Sequence, residues 1–567
     1  MKKASAARLT GNELARYSRA EMPPTATTPA LTRTAQLTRL RQRRFDVLVV
    51  GGGITGAGIA RDAARRGLDV ALVERDDFAS GTSSRSSRLV HGGVRYLEHG
   101  HLRLVFESSH ERRVLLRIAP HLVRPLAFTW PVYEGSRIPR WKLRAGLLLY
   151  DLLALFRNVA PHRGLSAADI AESEPMLARH ALTGGARYFD AATDDARLTL
   201  ATLLDAAVSG ATVLNHAEVT GLQWDGGRVS GASVTDRLGG HTLDIGASCV
   251  VNATGPWTDG VRRMENPASV PAVLGSKGVH IAVPASRVGN RGAITLLAPD
   301  GRVMFVLPAG TCSLIGTTET ETTETPDDVR ATRADVEYLL QAANRVFPDA
   351  ALTSDDVIAA WAGIRPLAAA AHTGDANSAS REHLVATGPG GVITVTGGKL
   401  TSYRVVARDV VNAVFRALAR RSPRVRTDRI PLAGGDVPDL DAELAAARAA
   451  TGTNDIAIWL VHAYGGAWHQ VWARAAGDAA LGARLVDTLP YIGAAVLHAV
   501  EAEFACTVAD VLVRRTHLAF ETRDHGLAVA PRVAALMAPL LGWTDRGVEL
   551  AVAEYRATIE RIFTIDA

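Results

Sequence analysis

Cysteine is scarce in this sequence: Cys249, Cys312 and Cys506 are the only three among 567 residues. They lie far apart and form no CxxC motif, which argues against a disulfide scaffold or a zinc site and favours a reducing compartment. Long apolar runs are also absent. The nearest approach to one, residues 145–156, falls well short of the ~20 residues needed to cross a bilayer, and it contains Asp151. We therefore expect neither a metal centre nor a membrane-spanning helix.

A large excess of charge of one sign is missing as well. The chain has 63 Lys and Arg against 58 Asp and Glu, and the basic residues are scattered among acidic ones without a nucleic-acid-binding motif. This pattern argues against a nucleic-acid-binding protein. Residues 1–44 are rich in Pro, Thr, Ala and Arg and contain no apolar core of signal-peptide length, so we expect a poorly ordered arm and no secretion. The chain length predicts two or three domains.

A βαβ unit stands at the start of the ordered sequence. An apolar strand at residues 47–50 leads into Gly51, Gly53 and Gly56 in GxGxxG spacing, a helix follows, and a second strand ends on Glu74. The glycines permit a tight turn, close approach of a pyrophosphate and close helix–sheet packing, while the helix N-terminus attracts the anion. Glu74 is placed to accept hydrogen bonds from a ribose diol. The unit predicts a dinucleotide-binding domain.

Two further segments suit a flavin cofactor. Residues 82–98, TSSRSSRLVHGGVRYLE, follow the acid at the end of the second strand, where hydroxyl groups could donate to a diphosphate or to the flavin ring. Later, Gly397 and Gly398 open a helix. Its first N–H groups and positive dipole end would stabilise negative charge on a reduced flavin.

The ordered motifs together resemble the FAD-dependent, aerobic-type, quinone-linked glycerol-3-phosphate dehydrogenases, within the wider D-amino-acid-oxidase-like flavoprotein fold. The family usually has threonine where this chain has Ser402. The motifs that carry the resemblance are the GxGxxG unit, the 82–98 segment, DDAR (194–197), VVNATGPW (250–257), SKGVH (276–280), IGTT (315–318), GIRPL (363–367) and GGKLTSYR (397–404).

The resemblance implies an α/β (α+β multidomain) fold in which a Rossmann-like FAD-binding domain carries an inserted antiparallel-sheet cap and an α-helical C-terminal domain. We predict the FAD-binding domain at 45–110, 188–270 and 373–420, the substrate or cap domain at 111–187 and 271–372, and the helical domain at 424–567.

Helical periodicity is strongest in the C-terminal third of the chain. It indicates helices at 440–450, 455–464, 494–516, 531–541 and 545–563. Three roles are open for this tail: oligomerisation, for example as a homodimer; contact with a membrane; or simple buttressing of the other domains. Buttressing is preferred. Residues 139–156 place basic residues before a leucine-rich run, which suits either a core-packing helix or an interfacial membrane anchor.

FAD is the cofactor that the resemblance implies. Residues expected to contact it are Gly51, Gly53, Gly56, Glu74, Thr82, Ser83, Ser84, Ser87, His91, Gly92, Ala253, Thr254, Gly255, Gly397, Gly398, Lys399, Leu400 and Thr401.

A phosphate-bearing substrate calls for arginine, whose guanidinium pairs bidentately with phosphate oxygens. Arg365, Arg95 and Arg381, in that order of preference, match arginines of the family, and Lys277, His280 and Lys399 complete the expected substrate site. The alcohol also needs a base, and a neutral histidine suits that role. His280 in the cap insert is preferred narrowly over His91, so the expected catalytic residues are His280, His91, Arg365 and Arg95.

The resemblance implies oxidation of sn-glycerol 3-phosphate to dihydroxyacetone phosphate, with hydride passing from C2 to flavin N5 and electrons then passing to a membrane quinone. One alternative is an oxidase that reduces oxygen to hydrogen peroxide. Another is a hydroxy- or amino-acid flavoprotein dehydrogenase of the same fold. A cytoplasmic protein bound peripherally to the inner face of the cell membrane is expected.

Overall fold

The computed structural model describes residues 32–98, 100–298, 300–369 and 383–567. The strands are β1 (Phe45–Val50), β2 (Val70–Val73), β3 (Leu89–Val90), β4 (Val123–Tyr133), β5 (Arg163–Leu165), β6 (Leu182–Thr193), β7 (Thr212–Leu214), β8 (Ala217–Asp225), β9 (Arg228–Asp236), β10 (Thr242–Asn252), β11 (Val273–Pro284), β12 (Ala293–Leu297), β13 (Val303–Ala309), β14 (Cys312–Gly316), β15 (Thr320–Thr322), β16 (Ala331–Thr332), β17 (Ala359–Ala368), β18 (Leu384–Thr387), β19 (Ile393–Thr396) and β20 (Ile565–Asp566).

The α-helices lie between and after these strands. They are α1 (Arg33–Gln42), α2 (Ile54–Arg65), α3 (Leu102–Ile118), α4 (Arg140–Leu153), α5 (Ala167–Ser173), α6 (Asp195–Val208), α7 (Thr258–Glu265), α8 (Ala285–Val288), α9 (Arg333–Val346), α10 (Tyr403–Ala417), α11 (Leu440–Thr451), α12 (Asn454–Tyr464), α13 (Trp468–Gly477), α14 (Ala479–Gly482), α15 (Gly493–Ala502), α16 (Leu518–Glu521), α17 (Ala530–Leu541) and α18 (Asp545–Phe563).

The first sheet has the strand order β18-β19-β10-β1-β2-β7, and β8 and β9 extend it from β10. Strand β1 pairs in parallel with both β2 and β10. Val47 and Val49 pack on one face, in the same core as Ile59 of α2 and Val410 of α10. Leu48 is buried on the other face, in the core that contains Val250. The βαβ unit expected at 45–74 is therefore present, and the sheet is wound as a dinucleotide-binding fold requires.

The second sheet runs β15-β11-β14-β13-β12-β4-β6-β3, with β17 paired to β11 and β5 to β6. Most of its pairs are antiparallel, and β12 with β4 is the parallel exception among them. Strands β13 and β14 pair in antiparallel fashion, as the expected antiparallel-sheet cap requires. Helix α9 packs on the side of this sheet that carries Val279, Ile281 and Ile315.

Buried ion pairs attach the C-terminal tail to the first sheet domain. Arg515 Nη1 lies 2.6 Å from Asp77 Oδ2, and both side chains are almost fully buried. Arg197 Nη2 likewise lies 2.7 Å from Glu503 Oε1. Breaking a buried pair leaves an uncompensated charge, so these contacts fix the tail firmly.

The predicted poorly ordered arm is wrong for its last part, because residues 33–42 form helix α1. Thr32 caps the helix by accepting from Ala35 N, and Leu40 is fully buried beside Phe45. Arg33 also pairs with Asp236 at 2.6 Å. Further hydrogen bonds join Gln36 to Val213 N and Arg39 to Gly210 O, so tertiary contacts that composition does not indicate hold this part of the arm. Residues 1–31 lie outside the described part of the chain.

One predicted helix of the tail is also wrong in its extent. The apolar periodicity of 494–516 continues, but α15 ends at Ala502 and a separate π-helical turn follows at Asp510–Arg515. Between them, Phe504 has a φ of 60°, which stops the helix. The break lets Glu503 turn inward to Arg197, so a buried tertiary ion pair overrides local periodicity here.

Candidate active site

A cavity of about 450 Å³ lies between the two sheets. Its walls come from the βαβ unit, the 80–96 segment, the 253–257 turn, strands β11, β13 and β17, and the 397–401 turn. Most of the motifs singled out in the sequence therefore meet at one place. Pockets at the carboxyl ends of parallel strands are the usual ligand sites of such sheets.

The glycine cradle, by which we mean Gly51, Gly53 and Gly56 with the start of helix α2, lies at one end of this cavity. A Cβ on Gly56 would lie 1.9 Å from the carbonyl oxygen of Gly51, so helix α2 can approach β1 only with glycine at that position. Gly53 is the N-cap of α2 and lines the cavity, and Ser83 Oγ accepts a hydrogen bond from Ile54 N at 2.9 Å. The N-terminus of α2, with the positive end of its dipole, therefore lies at the cavity wall, where it suits a pyrophosphate.

Glu74 ends β2 beside this cradle. Its carboxylate accepts from Gly52 N at 2.6 Å and from Asp76 N at 3.0 Å. Burial raises the pKa of Glu74, while the two backbone N–H groups act in the opposite direction. The backbone thus fixes the carboxylate at the cavity wall, where its remaining lone pairs can accept from a ribose diol.

The 397–401 turn forms another part of the cavity wall. Gly397 and Gly398 have φ values of 71° and 89°, which strain any residue with a Cβ. Thr401 Oγ1 accepts from His91 N at 3.2 Å and so joins this turn to the 91–93 loop. The Nζ of Lys399 lies 3.7 Å from the centre of the Tyr96 ring. The turn and the N-terminus of α10 suit the electron-rich edge of a flavin.

These features fit FAD. The cradle has a glycine floor that a Cβ would fill, an acid for the adenosine ribose, a helix N-terminus for the diphosphate and a second helix start for the ring. The cavity-lining residues between these points are Ser80, Gly81, Thr82, Ser83, Ser86, Ser87, Ala253, Thr254, Gly255, Pro256 and Leu400.

Arg365 lies on β17 where the second sheet faces the cradle. Its Nη2 donates to Thr317 Oγ1 at 3.1 Å, and its Nη1 lies 3.9 Å from the buried Glu319. A Cβ on Gly278 would lie 2.8 Å from Nη2, so glycine there makes room for the guanidinium. Arg365 and Thr317 both line the cavity. A guanidinium so held can pair with a phosphate.

His280 lies on the adjacent strand β11. Its Nε2 is 2.9 Å from Ser87 Oγ, and its ring stacks on Trp361 with centroids 5.7 Å apart. A Cβ on Gly316 would lie 2.2 Å from Cδ2, so that neighbouring position must be glycine. Burial, together with the positive charges of Arg365 and Arg88, lowers the pKa of His280 to about 3. The imidazole is therefore neutral near pH 7 and can accept a proton.

Three aromatic side chains form a further part of the cavity wall on the side of the second sheet. Phe128 stacks on Tyr188 with centroids 5.1 Å apart, and Phe305 meets Phe128 edge to face at 5.7 Å. All three line the cavity. No sequence pattern distinguishes them, because aromatic residues at strand spacing are typical of any core. They make this side of the cavity apolar, in contrast to the Arg365 side.

Several predicted contacts are absent from the cavity wall. Lys277 pairs with Asp335 at 3.0 Å on the α9 side of the sheet, because side chains of a strand alternate and His280 takes the other face. Ser84 is buried away from the cavity. Gly92 donates its N–H to Asp190 at 2.9 Å and packs under Tyr150, so Gly93 rather than Gly92 lines the cavity.

Gly56 serves helix packing and does not line the cavity. Arg381 and the side chain of Arg95 lie outside the described residues. Thr317, Arg85 and Tyr96 line the cavity without having been assigned a role. Each lies inside one of the motifs described above, so the motif predicted a position near the cofactor but did not predict that this residue lines the cavity.

A dinucleotide cradle facing a fixed arginine and a neutral histidine defines a flavin-dependent oxidoreductase. A family model described as FAD dependent oxidoreductase matches residues 46–404. A second, described as the C-terminal domain of alpha-glycerophosphate oxidase, matches residues 425–548.

The chain is 38% identical over 529 residues to glycerol-3-phosphate dehydrogenase 2 of Mycobacterium tuberculosis strain H37Rv, covering 92% of this chain and 89% of that protein. It is 39% identical over 535 residues to the human mitochondrial glycerol-3-phosphate dehydrogenase, covering 90% of this chain and 73% of that protein.

The crystal structure of the glycerol-3-phosphate dehydrogenase from Bacillus halodurans complexed with FAD aligns with a TM-score of 0.78 at 32% identity. The alignment covers 95% of this chain and 99% of that chain. The chain belongs to the FAD-dependent oxidoreductase family and, within it, to the glycerol-3-phosphate dehydrogenases. FAD is its cofactor, and the predicted fold class is confirmed.

Proposed function

We propose that this protein oxidises the C2 hydroxyl of sn-glycerol 3-phosphate to give dihydroxyacetone phosphate. The observation that carries the proposal is the placement of Arg365, Thr317 and His280 on one wall of the cavity, directly across from the FAD cradle. A phosphate-binding cation and a neutral base lie together where the alcohol carbon would face the cofactor. The names of the relatives support the same substrate.

Arg365 binds the phosphate group of the substrate. Thr317 fixes the guanidinium from the side, and Gly278 leaves the space it occupies. Lys399 supplies a second cation at the cavity wall, nearer the flavin end. Charge-assisted bidentate contacts hold a phosphate in one orientation, so they also orient C2.

His280 takes the proton of the C2 hydroxyl. Nε2 is the nitrogen that contacts Ser87 on the cavity wall, so the proton reaches it directly or through the Ser87 hydroxyl. A bound phosphate neutralises the charge of Arg365, which otherwise lowers the pKa of His280. Substrate binding therefore makes the imidazole a stronger base. His91 also lines the cavity, but its backbone is tied to Thr401 at the flavin end.

Bound FAD supplies the acceptor for the electron pair of the C2–H bond at N5. The chain holds it through the glycine cradle, Glu74 and the 397–401 turn. A direct test is product analysis: sn-glycerol 3-phosphate and an artificial electron acceptor are added, and dihydroxyacetone phosphate is measured. Formation of the ketone from the sn-3 ester, but not from the sn-1 ester or from glycerol, supports the proposal. Equal rates with lactate or an amino acid would instead favour a hydroxy- or amino-acid flavoprotein dehydrogenase of the same fold.

A membrane quinone is the proposed final electron acceptor, and helix α4 supports it. Trp141, Leu148 and Leu152 are 73%, 56% and 54% exposed, and Phe156 just beyond the helix is 60% exposed. The neighbouring α3 adds exposed Phe106. Large apolar side chains exposed together mark an interaction surface. Among the described residues, no helix is both long and apolar enough to cross a membrane.

The basic residues Arg140, Lys142 and Arg144 are exposed on the same helix. Leucines dipping below lipid headgroups, with arginine and lysine toward the phosphates, are the pattern of an interfacial helix. Leu143, Leu147 and Tyr150 on the other face of α4 are buried in the core, so the helix packs on the protein as the core-packing alternative expects and still offers an exposed face to a membrane. We infer peripheral attachment to the inner face of the cell membrane, where quinone is dissolved.

Oxygen remains the rival acceptor, and the two are separable by experiment. Reduced protein is mixed either with air-saturated buffer or, anaerobically, with a short-chain quinone. Fast reoxidation by the quinone with little hydrogen peroxide supports the dehydrogenase. Stoichiometric peroxide at a comparable rate would favour the oxidase.

A further inference from the structure

We propose that the C-terminal domain contributes a positioning residue, Phe520, which fixes the orientation of His280 by way of Trp361. This inference rests on the proposed function, because it concerns the base of that reaction. It assigns to the helical tail a role in the active site, which simple buttressing does not include.

Trp361 is the direct link. It pairs with His280 across strands β17 and β11, and the two rings lie nearly parallel, with 15° between their planes. Trp361 is 1% exposed and is among the largest fully buried side chains of the described residues. Its indole therefore packs directly beside the imidazole, ring plane along ring plane. Any tilt of the indole would move the imidazole with it.

Phe520 is a second ring that packs against Trp361. It lies on the short helix α16 of the tail and meets the indole edge to face, with centroids 4.9 Å apart and planes at 81°. Phe520 is 2% exposed, so no solvent gap lies between the rings. Edge-to-face pairs have a preferred geometry, which makes the contact directional as well as apolar.

Arg88 ties the stack to the cofactor loop. Its guanidinium carbon lies 5.1 Å from the Phe520 ring centre and 6.0 Å from that of Trp361. The preceding residue, Ser87, contacts Nε2 of His280. The imidazole is thus fixed by a ring from the sheet, a ring from the tail that packs against that ring, and a hydroxyl from the loop.

The tail continues the stack away from the site. Phe563 meets Phe520 edge to face at 5.1 Å and stacks on His525 at 4.2 Å. Phe563 belongs to the same apolar core but has no ring contact with Trp361 among the described residues. It therefore offers a matched control: the same residue type in the same cluster, one ring further from His280.

The test is a double-mutant cycle of Phe520→Leu and His280→Gln, with Phe563→Leu as the control. Leucine retains most of the apolar volume and removes the ring edge. Anaerobic stopped-flow reduction by sn-glycerol 3-phosphate is followed at saturating substrate. We expect Phe520→Leu to slow reduction roughly 10- to 100-fold with little change in substrate affinity, because a small misplacement of a catalytic group is costly. Phe563→Leu should lower the melting temperature to a similar extent and leave the rate within about twofold.

The cycle also shows whether Phe520 acts through His280. In the His280→Gln background, Phe520→Leu should slow reduction by less than about twofold, since the group it positions is gone. An equal fold-loss in both backgrounds, or an equal loss with Phe563→Leu, would overturn the inference and leave a general packing role.

A second readout does not depend on the substrate. His280 faces Arg365 from β17 and Arg88 from the loop before β3, and burial between them lowers its pKa to about 3. Loosening the stack should admit water and raise that pKa, so the loss of melting temperature between pH 7 and pH 5 should shrink in Phe520→Leu but not in Phe563→Leu. Identical pH dependence in both variants would contradict the inference. If wild-type protein is not reduced by the phosphate ester, the proposed function fails, while this readout still decides the role of Phe520.

Discussion

Nη2 of Arg365 and Oγ1 of Thr317 are hydrogen-bonded at 3.1 Å on the wall that faces the FAD cradle. Arginine is abundant in this chain, and most arginines are solvated, so it is the fixed geometry that suits this one to the proposed phosphate contact. Glycine at position 278 is part of that geometry, because a side chain there would occupy the space of the guanidinium.

The Arg365→Ala variant should keep its flavin and lose substrate affinity. A hydrogen bond to a charged group contributes about 1.5–3 kcal/mol, so kcat/KM should fall roughly 10- to 150-fold, mainly through KM. Steady-state kinetics and the flavin absorbance of the purified variant measure both effects. Arg333→Ala, an exposed arginine at the start of α9, is the control and should behave as wild type. Loss of flavin from Arg365→Ala would make Arg365 a structural residue.

Gly56→Ala should abolish FAD binding. Its Cβ would lie 1.9 Å from the Gly51 carbonyl oxygen, so α2 must move away from β1 and the cradle opens. The flavin-to-protein ratio after purification gives the result, and far-UV circular dichroism checks that the chain is folded. Gly477→Ala, where a new Cβ meets nothing within 4 Å, should retain full flavin content. A yellow, stoichiometric Gly56→Ala protein would contradict the assignment of this cradle.

Acid should destabilise the protein through buried neutral histidines. Burial lowers the pKa of His121 and His280 to about 3, and partial burial lowers that of His462 to a similar value, all below the unfolded value of about 6.5. The unfolded chain therefore binds more protons, and stability that is present above pH 6.5 is lost as the pH falls toward 3. Each histidine contributes up to about 1.4 kcal/mol per pH unit in that window.

Replacing His280 with glutamine removes one such group. The melting temperature of His280→Gln should therefore fall less steeply between pH 6.5 and pH 4.5 than that of the wild-type protein. His180→Gln, which changes an exposed histidine, should leave the steepness as it is. If His280→Gln and His180→Gln have the same pH dependence, the imidazole of His280 is not held neutral.

The exposed face of α4 should bind anionic membranes. Replacing Trp141 and Leu148 with aspartate removes exposed apolar area that a membrane would bury and adds negative charge, so binding to phosphatidylglycerol vesicles should weaken at least about tenfold. Vesicle co-sedimentation measures it, and the rate of reduction by substrate should be unchanged. Trp224→Asp, an exposed tryptophan on β8, is the matched control. Equal binding by both variants would leave α4 without a membrane role.

The residues of the glycine cradle were predictable from local sequence patterns. Gly51, Gly53, Gly56 and Glu74 each have a role fixed by their spacing from one strand end, so the sequence pattern and the contact coincide. Arg365 and His280 were likewise placed by their motifs. The domain boundaries and the assigned chemical roles stay predictions.

Contacts across the fold were less predictable. Lys277 and His280 share one motif, yet strand alternation sends them to opposite faces of the sheet, and periodicity alone does not say which face meets the cofactor. Helix α1 and Phe520 depend on partners far along the chain, such as Asp236 and Trp361. Such partners have no signature in a single sequence, since tertiary packing overrides local pattern.

The most direct test of the account is an anaerobic absorption titration of the purified protein with sn-glycerol 3-phosphate, with glycerol and lactate as controls. Oxidised flavin absorbs near ~450 nm and loses that band on two-electron reduction. We expect bleaching by the phosphate ester alone, in wild-type protein and, at much higher concentration, in Arg365→Ala. An unchanged spectrum with the ester, or equal bleaching by glycerol, would contradict the central claim that Arg365 selects a phosphate ester for oxidation at the flavin.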